Sequence, residues 1–426
     1  MAQSTMALII LAITILLFIT EKIPTCLTAM LSAIAMGITR IISWPEVFAG
    51  MSNSIVVFLI GVGVMGASYF STGLADRIGH YLLVHGKHLT EKRLILLLFV
   101  IGAVTSAFFN GTMIVAVLFP IIDAIARSSD GRIMRKQLYM PTAVATVFGS
   151  NLTTIGSTSM MLAVSLLANS AGGHQMSFFE PLMIGLPGTL AAFLVYATFG
   201  CRMQERIFCY PDLPVASDVT QMDSGDAQRL TGHQWIAILT TVACIGSIIL
   251  GLDYGAAGFL AAVILILTGC IDLSHALRSV SWEIIFLVVG SLGIAKGLQA
   301  SGAGQVIADA TLRVFSFAAH SPAGLCVVVL FLATLLSNFT SNGAAVSIVV
   351  PIALSIAASL NTSAVPFVLA SAVGANISVA TPICVTQITM SCTAGYNFKS
   401  LIRMGGFLNL VAFAVTAAAL LLVYYL

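Results

Sequence analysis

Charge is what this sequence lacks most. Only 8% of its 426 residues are Asp, Glu, Lys or Arg, where a soluble domain carries about 25%. Such a chain cannot cover a water-facing surface. The net charge of +2 is too small to suggest nucleic acid as a partner. No Cys-x-x-Cys pair occurs, and the eight cysteines are scattered, mostly in apolar stretches; they read as small apolar residues rather than a disulfide framework or a metal site. No Asp or Glu falls in the middle of an interrupted apolar segment. The seven histidines, His80, His85, His88, His174, His233, His275 and His320, fall in loops or at segment ends. That argues against a buried proton relay and against an intramembrane protease, which needs a buried His or paired acids. The first apolar stretch has no basic leader and no small-x-small cleavage site, so it reads as a retained span.

What is present is hydrophobicity: 59% apolar residues and a mean hydropathy of +1.05. Apolar segments of helical length recur throughout, which selects helices over a β-barrel and the lipid bilayer as the medium. The expectation is an all-α polytopic membrane protein.

The chain also repeats itself. Residues 57–78 align with 286–307, matching Gly61 to Gly290 and Gly73 to Gly302. "SAFFNGTMIVAVLFP" (106–120) aligns with "SNFTSNGAAVSIVVP" (337–351), and "GSNLTTIGST" (149–158) with "GANISVATPI" (374–383). The division expected is a first repeat over 1–205, a cytoplasmic linker over 206–230 and a second repeat over 231–426. Each half holds three spans, two arms around an Asn-Gly tip, a span broken in its middle and a final span. Arms of about 14 residues would make about 21 Å of helix, too short for ~30 Å of hydrocarbon, so each pair reads as a re-entrant hairpin. Five crossing spans per half is an odd number, so the two repeats are inverted: ten spans and two hairpins.

Basic residues agree. Lys22, Arg77, Lys87, Lys92, Arg93, Arg127, Arg132, Arg135, Lys136, Arg202, Arg206, Arg229, Arg278, Lys399 and Arg403 fall on one side; Arg40 and Arg313 fall on the other. Both termini are expected outside a plasma (bacterial inner) membrane, with the first hairpin opening to the cytoplasm and the second to the exterior. Lys296 lies near the outer interface and is expected to snorkel. Asp123 and Glu180, at segment ends, are expected to be solvated.

Irregular backbone at membrane depth is tolerated where it lines a cavity, and inverted repeats with broken helices build secondary transporters. Gly111, Gly343, Gly149, Gly156 and Gly374 let backbone turn and approach a ligand. Asn, Ser and Thr supply oxygens for a hard cation and N–H or O–H groups for an anion. The candidate solute site is Asn110, Gly111, Thr112, Asn151, Thr153, Asn342, Gly343 and Thr381, with Thr154 and Ser378 nearby. The candidate Na⁺ ligands are Ser106, Asn110, Gly149, Ser150, Ser337, Thr340, Ser341, Asn342, Gly374 and Asn376. The bland alternative is helix packing by small polar residues.

Several stretches resemble the divalent anion/sodium symporters of the ion transporter superfamily: "ITEKIPTCLTAML" (19–31), "VVGSLGIAKGLQASG" (288–302), "FTSNGAAVSIVVP" (339–351), "SVATPICV" (378–385) and "YNFKSLIRMGGFLNLV" (396–411). The resemblance covers essentially the whole chain. It implies a homodimer, an elevator-type motion, Na⁺ at each hairpin tip and a di- or tricarboxylate, or sulfate, between the tips. It implies no enzyme activity and no organic cofactor. The chain departs from the family's Ser-Asn-Thr motifs, reading Asn110-Gly111-Thr112 and Ser341-Asn342-Gly343. It also lacks the Pro-Pro-Asn that follows the breaks, with Thr158-Ser159-Met160 and Pro382-Ile383-Cys384 there instead. Fewer donors favour a dicarboxylate or smaller anion. The leading expectation is Na⁺-coupled symport of a dianion. The alternatives are an anion exchanger of the same fold, a cation/proton antiporter of the wider superfamily, and a channel.

Overall fold

Polar residues in this chain start helices. Asn53, Asn110, Ser157, Thr231, Asp253, Ser321 and Ser341 each accept a hydrogen bond from a first-turn backbone N–H, which satisfies donors a helix cannot pair itself. Between these caps the side chains are apolar and the backbone pairs internally, as lipid demands. The computed structural model describes residues 3–20, 22–74, 77, 89–129, 132–170, 176–209, 231–315 and 321–425. Residues 210–230 of the expected linker, with Lys87, Arg229, His80, His85, His88, His174 and His320, lie outside the described residues.

The first half runs α1 (Gln3–Thr20), α2 (Thr25–Ile38), the short α3 (Trp44–Phe48) and α4 (Ser54–Ser71). The first hairpin follows, α5 (Glu91–Ser106) and α6 (Gly111–Ser128), then the broken span α7 (Arg135–Gly149) and α8 (Thr158–Ala168). It closes with α9 (Leu182–Ile207), which contains one π turn. The second half repeats the order: α10 (Gly232–Ile249), α11 (Tyr254–Leu267), α12 (Leu273–Arg278), α13 (Trp282–Ala300) and the amphipathic α14 (Ala303–Val314). Its hairpin is α15 (Pro322–Ser337) and α16 (Asn342–Ser359), its broken span α17 (Val365–Asn376) and α18 (Thr386–Ser391), and its last span α19 (Phe398–Tyr424). No strand occurs among the described residues, and seven of their helices are individually long and apolar enough to cross a membrane. The fold is all-α, two inverted repeats with ten spans and two hairpins.

The hairpin arms are 16 and 18 residues long in both halves, longer than the 14 expected. Pro120 and Pro351 sit inside α6 and α16.

Packing follows the repeat. α2 lies along α13, and its counterpart α11 lies along α4. Glycines allow the approach: a Cβ on Gly61 would overlap the Gly258 carbonyl, and one on Gly290 the Ala29 backbone. Around the hairpins, α5 packs on α7 and α15 on α17, where Gly149 and Gly374 meet the Ala103 and Leu330 carbonyls. The last spans α9 and α19 pack on each other. The turn after each third span is alike too, with Gly73 and Gly302 at φ +71° and +70°.

Asp123 departs from expectation. It is buried, accepting from the Tyr139 hydroxyl at 2.7 Å and lying 3.7 Å from Arg135 Nη1. Arg135 donates to the Thr393 carbonyl at 3.1 Å. The pair ties α6 to α7. Glu180 accepts from Ser177 N at 3.0 Å and from the Tyr424 hydroxyl at 3.1 Å. Its work is to close a turn and join α19.

Candidate functional site: a cavity between two hairpin tips

Both hairpin tips open on one cavity of about 370 Å³. Asn110, Gly111 and Thr112 line it from the first tip, and Ser341, Asn342 and Gly343 from the second. The breaks contribute Ser150, Gly156, Ser157, Thr158 and Ser159 on one side and Asn376 and the 383–387 stretch on the other. Of the residues expected at the site, eight reach it: Asn110, Gly111, Thr112, Ser150, Ser341, Asn342, Gly343 and Asn376.

The others stand behind the wall. Asn151 Oδ1 accepts from Asn376 Nδ2 at 2.9 Å, one bond back from the cavity. Ser106 donates to the Thr146 carbonyl and Thr153 to the Ala107 carbonyl, both fastening the first tip to its broken helix. Ser337 donates to Ala375 O at 2.9 Å, Thr340 to Phe18 O at 3.1 Å and Thr381 to Asn338 O at 2.6 Å. Ser378 donates to Thr334 O at 2.9 Å, and Thr154 meets the Tyr254 hydroxyl at 3.2 Å. Gly149 and Gly374 are packing contacts. A buried hydroxyl without a partner costs more than one bonded to a carbonyl, so hydroxyls near a carbonyl bind it in preference to facing the cavity.

Sequence reasoning missed Ser157, Ser159, Asn338, Asn409 and Gln387. Ser157 caps α8, and Asn376 Nδ2 donates to its Oγ at 2.7 Å. Ser159 donates to Asn376 Oδ1. Asn338 and Asn409 brace the second break: Asn409 Nδ2 donates to Asn338 Oδ1 at 3.0 Å and Val379 N to Asn409 Oδ1 at 2.9 Å. The polar cluster "GSTS" at the start of α8 was the available signal for the two serines.

The electrostatics come from backbone. Three helices of more than two turns begin on the cavity, α6, α8 and α16, and each N-terminus carries partial positive charge, with one first-turn N–H taken by its cap. Among the lining residues there is no Lys, Arg or His, and one carboxylate, the exposed Glu283.

At the second tip, oxygens crowd the Asn342 amide. With Nδ2 toward Asn376, its Oδ1 points at the Ala375 and Cys384 carbonyls. Turned over, Nδ2 donates to those carbonyls at 3.2 and 3.0 Å, and Oδ1 then faces Asn376 Oδ1 at 3.1 Å. Either way acceptors outnumber donors, with Ser337 Oγ also in contact.

Two further cavities lie apart. One of about 450 Å³ is lined by Lys296, Gln299, Gln305 and Ser355; Lys296 is half-buried there. The other, about 740 Å³, is apolar and lies between the first hairpin, α4 and α10.

Inverted halves, paired hairpins and a polar cavity between their tips are the architecture of membrane transporters. The comparisons agree. The chain belongs to the citrate transporter family, whose model matches residues 15–351, and the likeness to divalent anion/sodium symporters holds with it. An uncharacterized transporter of Haemophilus influenzae is 23% identical over 97% of this chain and 91% of its own. The sodium-dependent dicarboxylate transporter SdcS of Staphylococcus saprophyticus is 21% identical over 98% of this chain and 85% of its own. An uncharacterized transporter of Synechocystis is 30% identical over 194 residues, 46% of this chain. The chain spans under a third of that relative (31%) and of Escherichia coli YfbS (28%). In fold, it is similar to the Alcanivorax borkumensis YdaH transporter, with a TM-score of 0.63, 14% identity and coverage of 96% of this chain and 97% of that one.

Proposed function

We propose that the protein is a secondary active transporter that carries a small dianion, a dicarboxylate such as succinate or malate or else sulfate, together with Na⁺. The observation that carries this is the convergence of three helix N-termini on a cavity with no basic side chain. Such a site attracts an anion weakly enough to release it. The acceptor crowding around Asn342 suits a hard cation, which takes oxygen ligands. A sodium-dependent dicarboxylate transporter among the full-length relatives fits the same reading. The site residues of this reading are the eight that line the cavity, with Asn151 and Ser337 in support.

An elevator motion is supported by an asymmetry between the halves. On the first side, Met113 Sδ lies against Gly66, 2.6 Å from where a Cβ would stand. Carrying that pair across by the repeat offsets lands on Ala344 beside Ala295. Instead Gly343 abuts Leu287, 2.7 Å from a Cβ, and Ser347 Oγ meets Ser291 Oγ at 2.8 Å, so Ala344 is level with Val288. The shift is seven residues, about 10 Å at 1.5 Å per residue. Because α4 and α13 are inverted, both hairpins are displaced toward the same face. With the termini outside a plasma (bacterial inner) membrane, as the basic residues suggest, that face is cytoplasmic and this state is inward-facing. The same reading includes repeats over 1–205 and 231–426 joined by a cytoplasmic linker, and a homodimer, which the mass of the purified protein in detergent tests.

Uptake of labelled succinate, malate, citrate and sulfate into proteoliposomes, with a Na⁺ or a K⁺ gradient, tests the function. Stimulation by Na⁺ for one or more anions is expected. Uptake driven by internal anion and indifferent to Na⁺ would replace it with the exchanger.

A further inference from the structure

We propose that Gln387 binds the solute at the first hairpin tip, and that the two tips divide the work: the second holds the cation, the first holds the anion. The proposal rests on the transport reading above.

The tips occupy equivalent places but carry different chemistry. By spacing to Pro120 and Pro351, Gly111 stands where Asn342 stands in the other half. The missing side chain is replaced from elsewhere. A Cβ on Gly111 would lie 2.5 Å from Gln387 Nε2 and 3.3 Å from Ser106 Oγ. Gln387 is the second residue of α18, in the opposite repeat, and its amide enters the space that an Asn at 111 would fill.

That amide has no hydrogen bond to the described residues, although it lines the cavity. It is half-buried and opens on the cavity, so a ligand there can pair with it. The neighbours then decide what the ligand is. At the second tip, Asn342, Asn376, Ala375 and Cys384 present more oxygens than donors. At the first tip two side-chain oxygens already hold a bond. Asn110 Oδ1 takes the Thr112 N–H at 2.9 Å, and Ser106 gives its proton to the Thr146 carbonyl. The donors there are the Asn110 Nδ2, the Gly111 N–H and the Gln387 Nε2, because the Thr112, Met113 and Ile114 N–H groups are bonded to Asn110. Donors select an anion.

The test uses the full chain in proteoliposomes, with labelled succinate or sulfate, and in detergent with Na⁺- and anion-induced thermal shifts. Gln387→Ala is expected to raise KM for the anion about fivefold with kcat within twofold, the signature of lost uniform binding. Gln387→Glu sets a carboxylate against the anion and is expected to cut uptake tenfold or more while the Na⁺-induced shift stays at the wild-type value. Gly111→Ala, which displaces the Gln387 amide, should reproduce the Gln387→Ala effect. An unchanged KM in Gln387→Ala overturns the proposal. So does a Gln387→Glu variant that responds to lower Na⁺ than wild type, since the group would then face the cation. If wild type takes up none of the anions, the transport reading fails; anion-induced shifts of wild type and Gln387→Glu still decide this proposal, and equal shifts overturn it.

Discussion

A single position of register separates the two Asn-Gly pairs, and their jobs differ because of it. Asn110 is the residue before its helix, so its side chain is consumed as a cap. Ser341 does the capping in the second half, which frees Asn342, already inside the helix, to face the cavity and Asn376. Asn342→Ala and Asn376→Ala are therefore expected to lower kcat/KM for uptake tenfold or more and to abolish the Na⁺-induced thermal shift. Thr381→Ala contrasts with them. It strips a partner from a buried carbonyl, which costs about 1–3 kcal/mol, so it should lower the melting temperature while the anion KM stays within twofold of wild type. Composition and repetition brought the tips and breaks into view. They could not tell a hydroxyl facing the cavity from one bonded to a carbonyl behind it, as Ser106, Thr153 and Thr381 are. That choice depends on which carbonyl lies within 3 Å, and the carbonyls belong to other elements. Gln387 was invisible for the same reason, since its meaning comes from Gly111 on the opposite repeat.

Elements were more legible than contacts. Each expected span, hairpin and break is present, because lipid forces backbone to pair within a segment and apolar runs then mark helices directly. The hairpin arms were underestimated at about 14 residues, where the helices run 16 and 18. The packing of α4 on α11 and of α2 on α13 depends on missing side chains. Gly61→Val and Gly290→Val should each cost more than the ~1–3 kcal/mol of ordinary overpacking, seen as loss of a monodisperse protein in detergent. Between α4 and α11, Ser54 Oγ donates to Asp253 Oδ2 at 2.6 Å and Ala256 N to Asp253 Oδ1 at 3.0 Å. The Ser54 bond holds the Asp253 carboxyl below its usual range. A depressed folded value gives stability that is present above the unfolded carboxyl pKa and lost as pH falls through the folded one. Asp253→Asn should thus melt below wild type at pH 7, and the gap should close as the buffer is taken below about pH 4, near the reference carboxyl value.

At the scale of the molecule, the displaced register of the two hairpins describes a second state. Exchanging the conformations of the halves would bring Met113 beside Leu59 and Gly343 beside Ile294, seven residues from Gly66 and Leu287. In a background with the eight native cysteines replaced, the pair Ser291→Cys with Ser347→Cys should cross-link in the state described here, where the two Oγ atoms are 2.8 Å apart. Leu59→Cys with Met113→Cys should cross-link only in the other. Transport that persists with the hairpins locked by the first pair would rule out the sliding motion.

The claim on which all of this depends is that the solute sits between the tips. A structure determined with Na⁺ and a bound dicarboxylate or sulfate tests it most directly. The account predicts anion density touching residues 110–112 and Gln387, with a cation at Asn342. Anion density in the Lys296 cavity instead, with the space between the tips empty, would contradict it.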